Sequence, residues 1–536
     1  MKAANNGIGG AQAPDRNSAL STSGFARREL MKIGAAAVAG LPMLAGSPLL
    51  AEPVAQQPAA AGVTPGSPQS GNAAVAATES SGWDEPTRQL VDYAASFSEA
   101  NLSDHAVEAA GYTLLDTMAA LVAGFEAEPV RIGARLARQA SSELKSTVMG
   151  YGITTSPEMA TFVNGCMLRC AEFNDVNTGG HFSDTTSAIL AVGEAFRASG
   201  AQVLGAVVLS YELTGAMTNA GARARGWDSP FELPAIALAT GKLMGLNREQ
   251  LASALSLALV SHMPMSVAHK GPLSMWKSCH AGETARCAVF SALLARAGMT
   301  APPQPFAAEG GLFFHLGAFK DLHLPANGPG GRMVIETTNY KRYPSEASTQ
   351  SVIELLPEIR AWTRPEDIAS ILIELPPGWV KEVADPSKWD LHNHETADHS
   401  MPYVIARGLL DGEIYLDSFS DAKINDPAAR ALMGLMTARA NSNETYQNEA
   451  LSLTGQLRLT VRNKSGGELV KETTIGYKRP LTHEEIVAKF DRVCAFRQVS
   501  DAQRAQARSQ WLNLRAIGDI AEPINTLATF GKPLPL

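Results

Sequence analysis

The stretch Ser103-Asp-His-Ala-Val-Glu-Ala-Ala-Gly-Tyr-Thr-Leu-Leu-Asp-Thr-Met-Ala-Ala-Leu-Val-Ala-Gly124 decides the fold class of this chain. Val107, Gly111, Leu114, Leu115, Met118, Leu121 and Val122 recur at spacings of three and four, which sets them on one helical face. Ser103 precedes the run as an N-cap. Alanine-rich periodic segments continue over 155–173, 185–198, 201–220, 232–244, 248–262 and 280–298, so this half reads as a helical domain. Further on the period shortens. Ile371, Ile373 and Leu375 alternate with other residues before Pro376-Pro377. Leu457, Leu459 and Val461 alternate with Gln456, Arg458, Thr460 and Arg462 ahead of a turn at Asn463-Lys-Ser-Gly-Gly467, a hairpin with one wet face. Helix returns after Pro480, where Thr482 and Glu485 form a capping box before Ile486 and Phe490. The expected class is mainly α with a smaller α+β domain.

Composition narrows the function. Against 45 Lys+Arg stand 53 Asp+Glu, a net charge of −8 over 536 residues. Nucleic acid as the main partner would need a basic field, so that class is excluded, while a small anion in a local basic pocket is not. The five cysteines form no CxxC pair; Cys166 and Cys170 read as buried thiols rather than a zinc site. Near the start, Arg27-Arg28 precedes an apolar stretch from Ile33 to Ala51 broken by Gly34, Gly40, Pro42, Gly46 and Pro48. Those breakers are wrong for a stable membrane insertion and fit a twin-arginine signal peptide over 1–51. A flexible Ala/Pro/Gly/Ser spacer is expected at 52–82. The protein is thus expected in the periplasm or secreted, with the twin-arginine translocase as a transient partner. Arg27→Lys with Arg28→Lys should hold it in the cytoplasm; unchanged export in cell fractionation refutes the signal.

Several motifs lead nowhere. Gly328-Pro-Gly-Gly331 lacks dinucleotide-loop spacing, and no GxxxxGK[ST] occurs. His392, His394, Glu395 and His399 are dense, but capping and hydrogen-bonding explain them better than a metal. Ser274-Met-Trp-Lys277 is an SxxK, the spacing of a serine hydrolase; Ser142-Glu-Leu-Lys145 matches as well, and neither SDN nor KTG follows.

Four segments carry groups suited to carboxylate chemistry. They are Asn164 to Asp184, with Glu172, Asp175 and His181; Lys277-Ser-Cys-His280; Asn339 to Gln350, with Lys341 and Glu346; and Thr396-Ala-Asp-His-Ser400-Met-Pro-Tyr403. Ser400 fits a helix N-cap with Pro402 in the first turn and Gly412 near the end.

In this order the segments resemble the MmgE/PrpD family, whose members dehydrate or decarboxylate small carboxylates. The resemblance runs over about 84–536, including Leu114-Leu-Asp-Thr117, Gly124, Arg479-Pro-Leu-Thr482 and Lys489-Phe490, and Ala397-Asp-His-Ser-Met-Pro-Tyr403 is its most specific piece. It implies a helical domain from both chain ends (83–335 and 480–536), an α+β lid at 336–479 between them, a homodimer, an interdomain cleft and no cofactor. Its site positions fall on His181, Lys277, Lys341 and Tyr403. The lysines would hold carboxylate and enolate charge, His181 would be the base, and Tyr403 or His280 the acid. Glu172, Asp175, Asp228, Glu346 and Ser400 are expected to line the substrate. The chain departs from the family pattern at Glu172-Phe-Asn-Asp-Val176, at Gly226-Trp-Asp228, where a histidine is usual, and near Glu346, where Ser348 replaces another. The expected function is a cofactor-free lyase or isomerase of a small hydroxylated or unsaturated carboxylate. The alternatives are a non-catalytic carboxylate binder and, third, the SxxK hydrolase.

Overall fold

The computed structural model describes residues 82–177, 180–221, 226–325, 332–441, 455–476 and 479–536. The expected signal, the spacer up to residue 81, and Gly328 to Gly331 lie outside the described residues. The chain is mainly helical. Its long helices are α1 (Glu85–Ser96), α2 (Asp104–Gly124), α3 (Glu128–Ala137), α4 (Pro157–Cys170), α5 (Thr186–Ala195), α6 (Gly200–Ala220), α7 (Glu232–Leu243), α8 (Arg248–His262) and α9 (Met275–Arg296). After the sheet region come α11 (His483–Phe496) and α12 (Asp501–Leu512), with α10 (Met401–Asp411) between.

Caps set these starts. Ser103 Oγ accepts from Ala106 N at 3.1 Å, and α2 begins at the next residue. From Thr113 on, α2 is buried on every side, not on one face only, because the other helices wrap it. Thr482 and Glu485 close their capping box at 3.3 and 2.9 Å. Ser274 accepts from Trp276 N at 3.3 Å, so α9 starts five residues before the periodic segment at 280, and Lys277 enters its first turn.

Two apolar cores result. The first holds Leu114 and Leu121 together with Phe490, Val493 and Trp511, so the early helix α2 and the late helices α11 and α12 share it. The second gathers Val352, Ile371, Ile373, Val404, Leu457, Leu459 and Val461. Its floor is a four-stranded sheet in the order Met436–Ala440, Ile368–Leu375, Gln456–Asn463, Glu468–Thr474. The first pair is parallel and the others antiparallel, with Leu459 opposite Lys471 and Val461 opposite Leu469. Leu457, Leu459 and Val461 point into the core while their neighbours face out, as period two demands.

One helix contact places the chemistry. At the crossing of α4 and α9, a Cβ on Gly165 would lie 2.6 Å from Gly282 Cα, and one on Gly282 2.6 Å from Phe162 O. Only glycine at both positions lets the backbones approach this closely. The C-terminal end of α4 therefore lies near the N-terminal turns of α9, and Glu172, just past α4, meets Lys277.

Candidate active site

Glu172 is the centre. It follows α4 in the left-handed region, φ +47°, a conformation that costs a non-glycine residue about 1–3 kcal/mol and persists only where its surroundings hold it. What holds it is charge. Lys277 donates to Oε1 and Lys341 to Oε2, and Arg169 Nη2 lies 3.3 Å from Oε1. All four side chains are buried. Burial alone would raise the Glu172 carboxyl; Lys277, Lys341 and Arg169 together hold it well below the usual range. Burial lowers Lys341 despite the same pairing.

Two imidazoles flank this cluster. His181 Nδ1 lies 2.5 Å from the carbonyl of Asp175, which can only accept, so Nδ1 carries the proton and Nε2 keeps its lone pair. Burial, then the positive charges of Arg169 and Lys341, push His181 well below its ordinary value and keep it a neutral base. His399 Nε2 is 4.0 Å from Glu172 Oε1, while its Nδ1 lies 2.5 Å from Asp398 Oδ1. Burial would raise Asp398, but His399, Lys277 and His394 hold it well below the carboxylate range, so it orients an imidazole as a fixed anion.

Asp175 ties the described residues on both sides of His181 together. Asp175 Oδ1 accepts from Ser183 N at 3.2 Å and Oγ at 2.5 Å, and Oδ2 accepts from Tyr211 Oη at 2.8 Å. Val176 and Asn339 exchange backbone bonds at 2.7 and 3.0 Å, bringing the 341 segment alongside. Lys489 of α11 donates to Asp116 at 2.7 Å, to Phe173 O at 2.6 Å and to Lys341 O at 3.0 Å, tying four segments beneath the site.

Several expected site residues lie elsewhere or are otherwise engaged. Tyr403 does not face the lysines: its hydroxyl donates to Ser418 O at 2.6 Å inside the second core, and its charged neighbours are Arg407, Asp411, Asp426 and Arg430. The first turn of α10 points the ring into packing. Ser400 caps that helix by accepting from Tyr403 N at 3.1 Å and donates to Lys388 O at 2.5 Å, which leaves no hydroxyl proton for a substrate. Asp175 has both oxygens engaged and acts on the loop, not on a ligand. Glu346 accepts from Ser348 N at 2.7 Å; burial raises its carboxyl, against the pull of His399. His280 and Asp228 face each other at 2.7 Å. Ser274 is an exposed cap and Lys277 serves Glu172, so the SxxK arrangement is absent. Sequence reading passed over Arg169, although Arg169 and Glu172 are three apart at a helix end. His399, within the Thr396–Tyr403 segment, carries no role of its own in that reading, although Asp398 stands beside it.

Asp184 gives a stability prediction. Burial raises its carboxyl to about 7, with Arg169 opposing and Asp175 and Glu172 adding. A raised acid contributes stability below its unfolded value and loses it as pH rises through the folded value. Asp184→Asn should therefore gain melting temperature relative to the wild type as pH climbs between about 4 and 7. A constant difference across that window in thermal melts contradicts the assignment.

Comparison with known proteins gives the same direction. The MmgE/PrpD N-terminal domain model matches residues 88–324 and the MmgE/PrpD C-terminal domain model residues 343–513. Human cis-aconitate decarboxylase is 26% identical over 414 residues, 73% of this chain and 84% of that protein. The 2-methylcitrate dehydratase of Escherichia coli K12 is 27% identical over 380 residues, 65% and 76% of the two chains. The mitochondrial 2-methylcitrate dehydratase of Yarrowia lipolytica is 26% identical over 367 residues, 63% and 68% of the two.

Proposed function

Because the chain belongs to the MmgE/PrpD family, we propose that it is a lyase acting on a small hydroxylated or unsaturated carboxylate, by loss of water or carbon dioxide. The observation that carries this is the convergence of Lys277 and Lys341, 64 positions apart in sequence, on one buried carboxylate. Lys277 and Lys341 share the single carboxylate Glu172, while Arg169 is divided between Glu172 and Asp184. Two lysines on one carboxylate suit a second, anionic ligand, and low dielectric strengthens its hold.

In this reading His181 Nε2 takes the proton from the carbon next to the carboxylate. Lys277 and Lys341 stabilise the enolate charge that develops. His399, held by Asp398, gives a proton to the departing hydroxyl or to the carbanion left by decarboxylation. It takes the acid role first set on Tyr403 or His280.

Glu172 already meets both lysines, and this favours a second reading: a relative that binds a carboxylate without turning it over. Purified protein with a panel of hydroxy- and unsaturated di- and tricarboxylates, followed by proton NMR, separates the two. New vinylic signals or loss of a carboxyl carbon support the lyase. Saturable line broadening with no product supports the binder.

A further inference from the structure

Asp228 stands where the family pattern has histidine, and it does not stand alone. His269 Nε2 lies 3.1 Å and His280 Nε2 2.7 Å from the same Asp228 Oδ2. The three donor atoms all fall within 4.8 Å of one another. We propose that Asp228, His269 and His280 bind one divalent transition-metal ion.

Two independent observations point to a ligand here. The His280 side chain is only 7% exposed, yet neither ring nitrogen makes a hydrogen bond, and His269 Nε2 is likewise buried without one. The close approaches to Asp228 lack hydrogen-bond alignment, so its carboxylate satisfies neither ring nitrogen. A buried, unbonded imidazole is costly, and coordination would satisfy it. Second, the backbone is built to bring the donors together. Asp228 N donates to Pro264 O at 3.0 Å and Ser266 N to Gly226 O at 3.0 Å, with Trp227 bridging Met265. Gly226 takes φ +88°, which a side-chain-bearing residue rarely adopts. His269 ends the short turn Ser266–His269, and His280 stands one turn beyond Lys277 on α9.

The chemistry suits zinc, cobalt(II) or iron(II). Two neutral imidazoles and one carboxylate form a mixed N/O set, and such ions hold their ligands at about 2.0–2.2 Å, which separates donors by roughly 3.4 Å in a tetrahedron. The two imidazole–carboxylate spacings are 3.1 and 2.7 Å, and all three donors lie within 4.8 Å, a range that brackets that separation. Asp228 is 30% and His269 19% exposed, so one side stays open for entry and for a water or ligand oxygen. The site stands whether or not the protein is a lyase.

The test is cobalt(II) added to the full-length protein after dialysis against a chelator. The wild type should bind one equivalent, with visible d–d absorption of low-symmetry coordination, and zinc should displace it. Asp228→Asn and, separately, His269→Gln should each weaken binding at least about tenfold to 100-fold, the loss that even outer-sphere partners cause. His392→Ala, on an exposed pair with Asp390, should bind as the wild type does. Melting curves of the metal-free variants establish that they fold. No cobalt binding by the wild type, or binding unchanged in both folded ligand variants, overturns the proposal.

Discussion

His181→Ala is expected to lower kcat by on the order of 10²–10⁴ with little change in KM, the loss expected when a positioned proton carrier is removed. The carbonyl of Asp175 fixes which nitrogen is free, so the defect lies in the proton step and not in binding. Burial and the neighbouring cations keep His181 neutral well below its ordinary value. The wild-type acid limb should therefore show no fall at the usual histidine pKa of about 6.5. A variant that loses KM but keeps kcat, measured by steady-state kinetics, would remove His181 from the chemistry.

Lys277→Ala should lose a charge-assisted contact worth roughly 2–3 kcal/mol, about 30- to 150-fold in kcat/KM. Its effect should exceed that of any surface lysine; Lys381, exposed on the sheet-bearing half, serves as control. Glu172 keeps Lys341 and Arg169 in the variant, so the fold retains a paired carboxylate. Equal kcat/KM in Lys277→Ala and Lys381→Ala would detach the lysine cluster from the reaction.

The fold was largely legible because its signals are local. Ser103, Thr482 and Ser400 each cap the helix that follows them, and alternation at Leu457, Leu459 and Val461 marks a strand with one buried face. The lysine segments could be picked out from residue types and motif order, but no local spacing says that Lys277 and Lys341 meet on Glu172. That depends on the Gly165–Gly282 crossing and on the left-handed backbone at Glu172, both products of tertiary packing. Tyr403 shows the converse. Its motif is the most specific in the chain, yet a first-turn side chain leans back along its helix, and the ring enters the second core to reach Ser418. His399, two residues from the helix start, is the member of that motif that turns toward the lysines. Asp228 reads as a lost imidazole in sequence; only the bridge between 226–228 and 264–266 reveals that it gains two.

The central claim, that His181 moves a proton next to a carboxylate held by the lysine pair, is tested most directly by solvent-deuterium incorporation. Wild type and His181→Ala are incubated in D₂O with the same panel of hydroxy- and unsaturated acids, and deuterium at the carbon beside the carboxylate is read by NMR. The expected result is enzyme-dependent incorporation into at least one acid, lowered by on the order of 10²–10⁴ in His181→Ala. Incorporation at equal rates by both proteins, or none by the wild type with any acid, contradicts it.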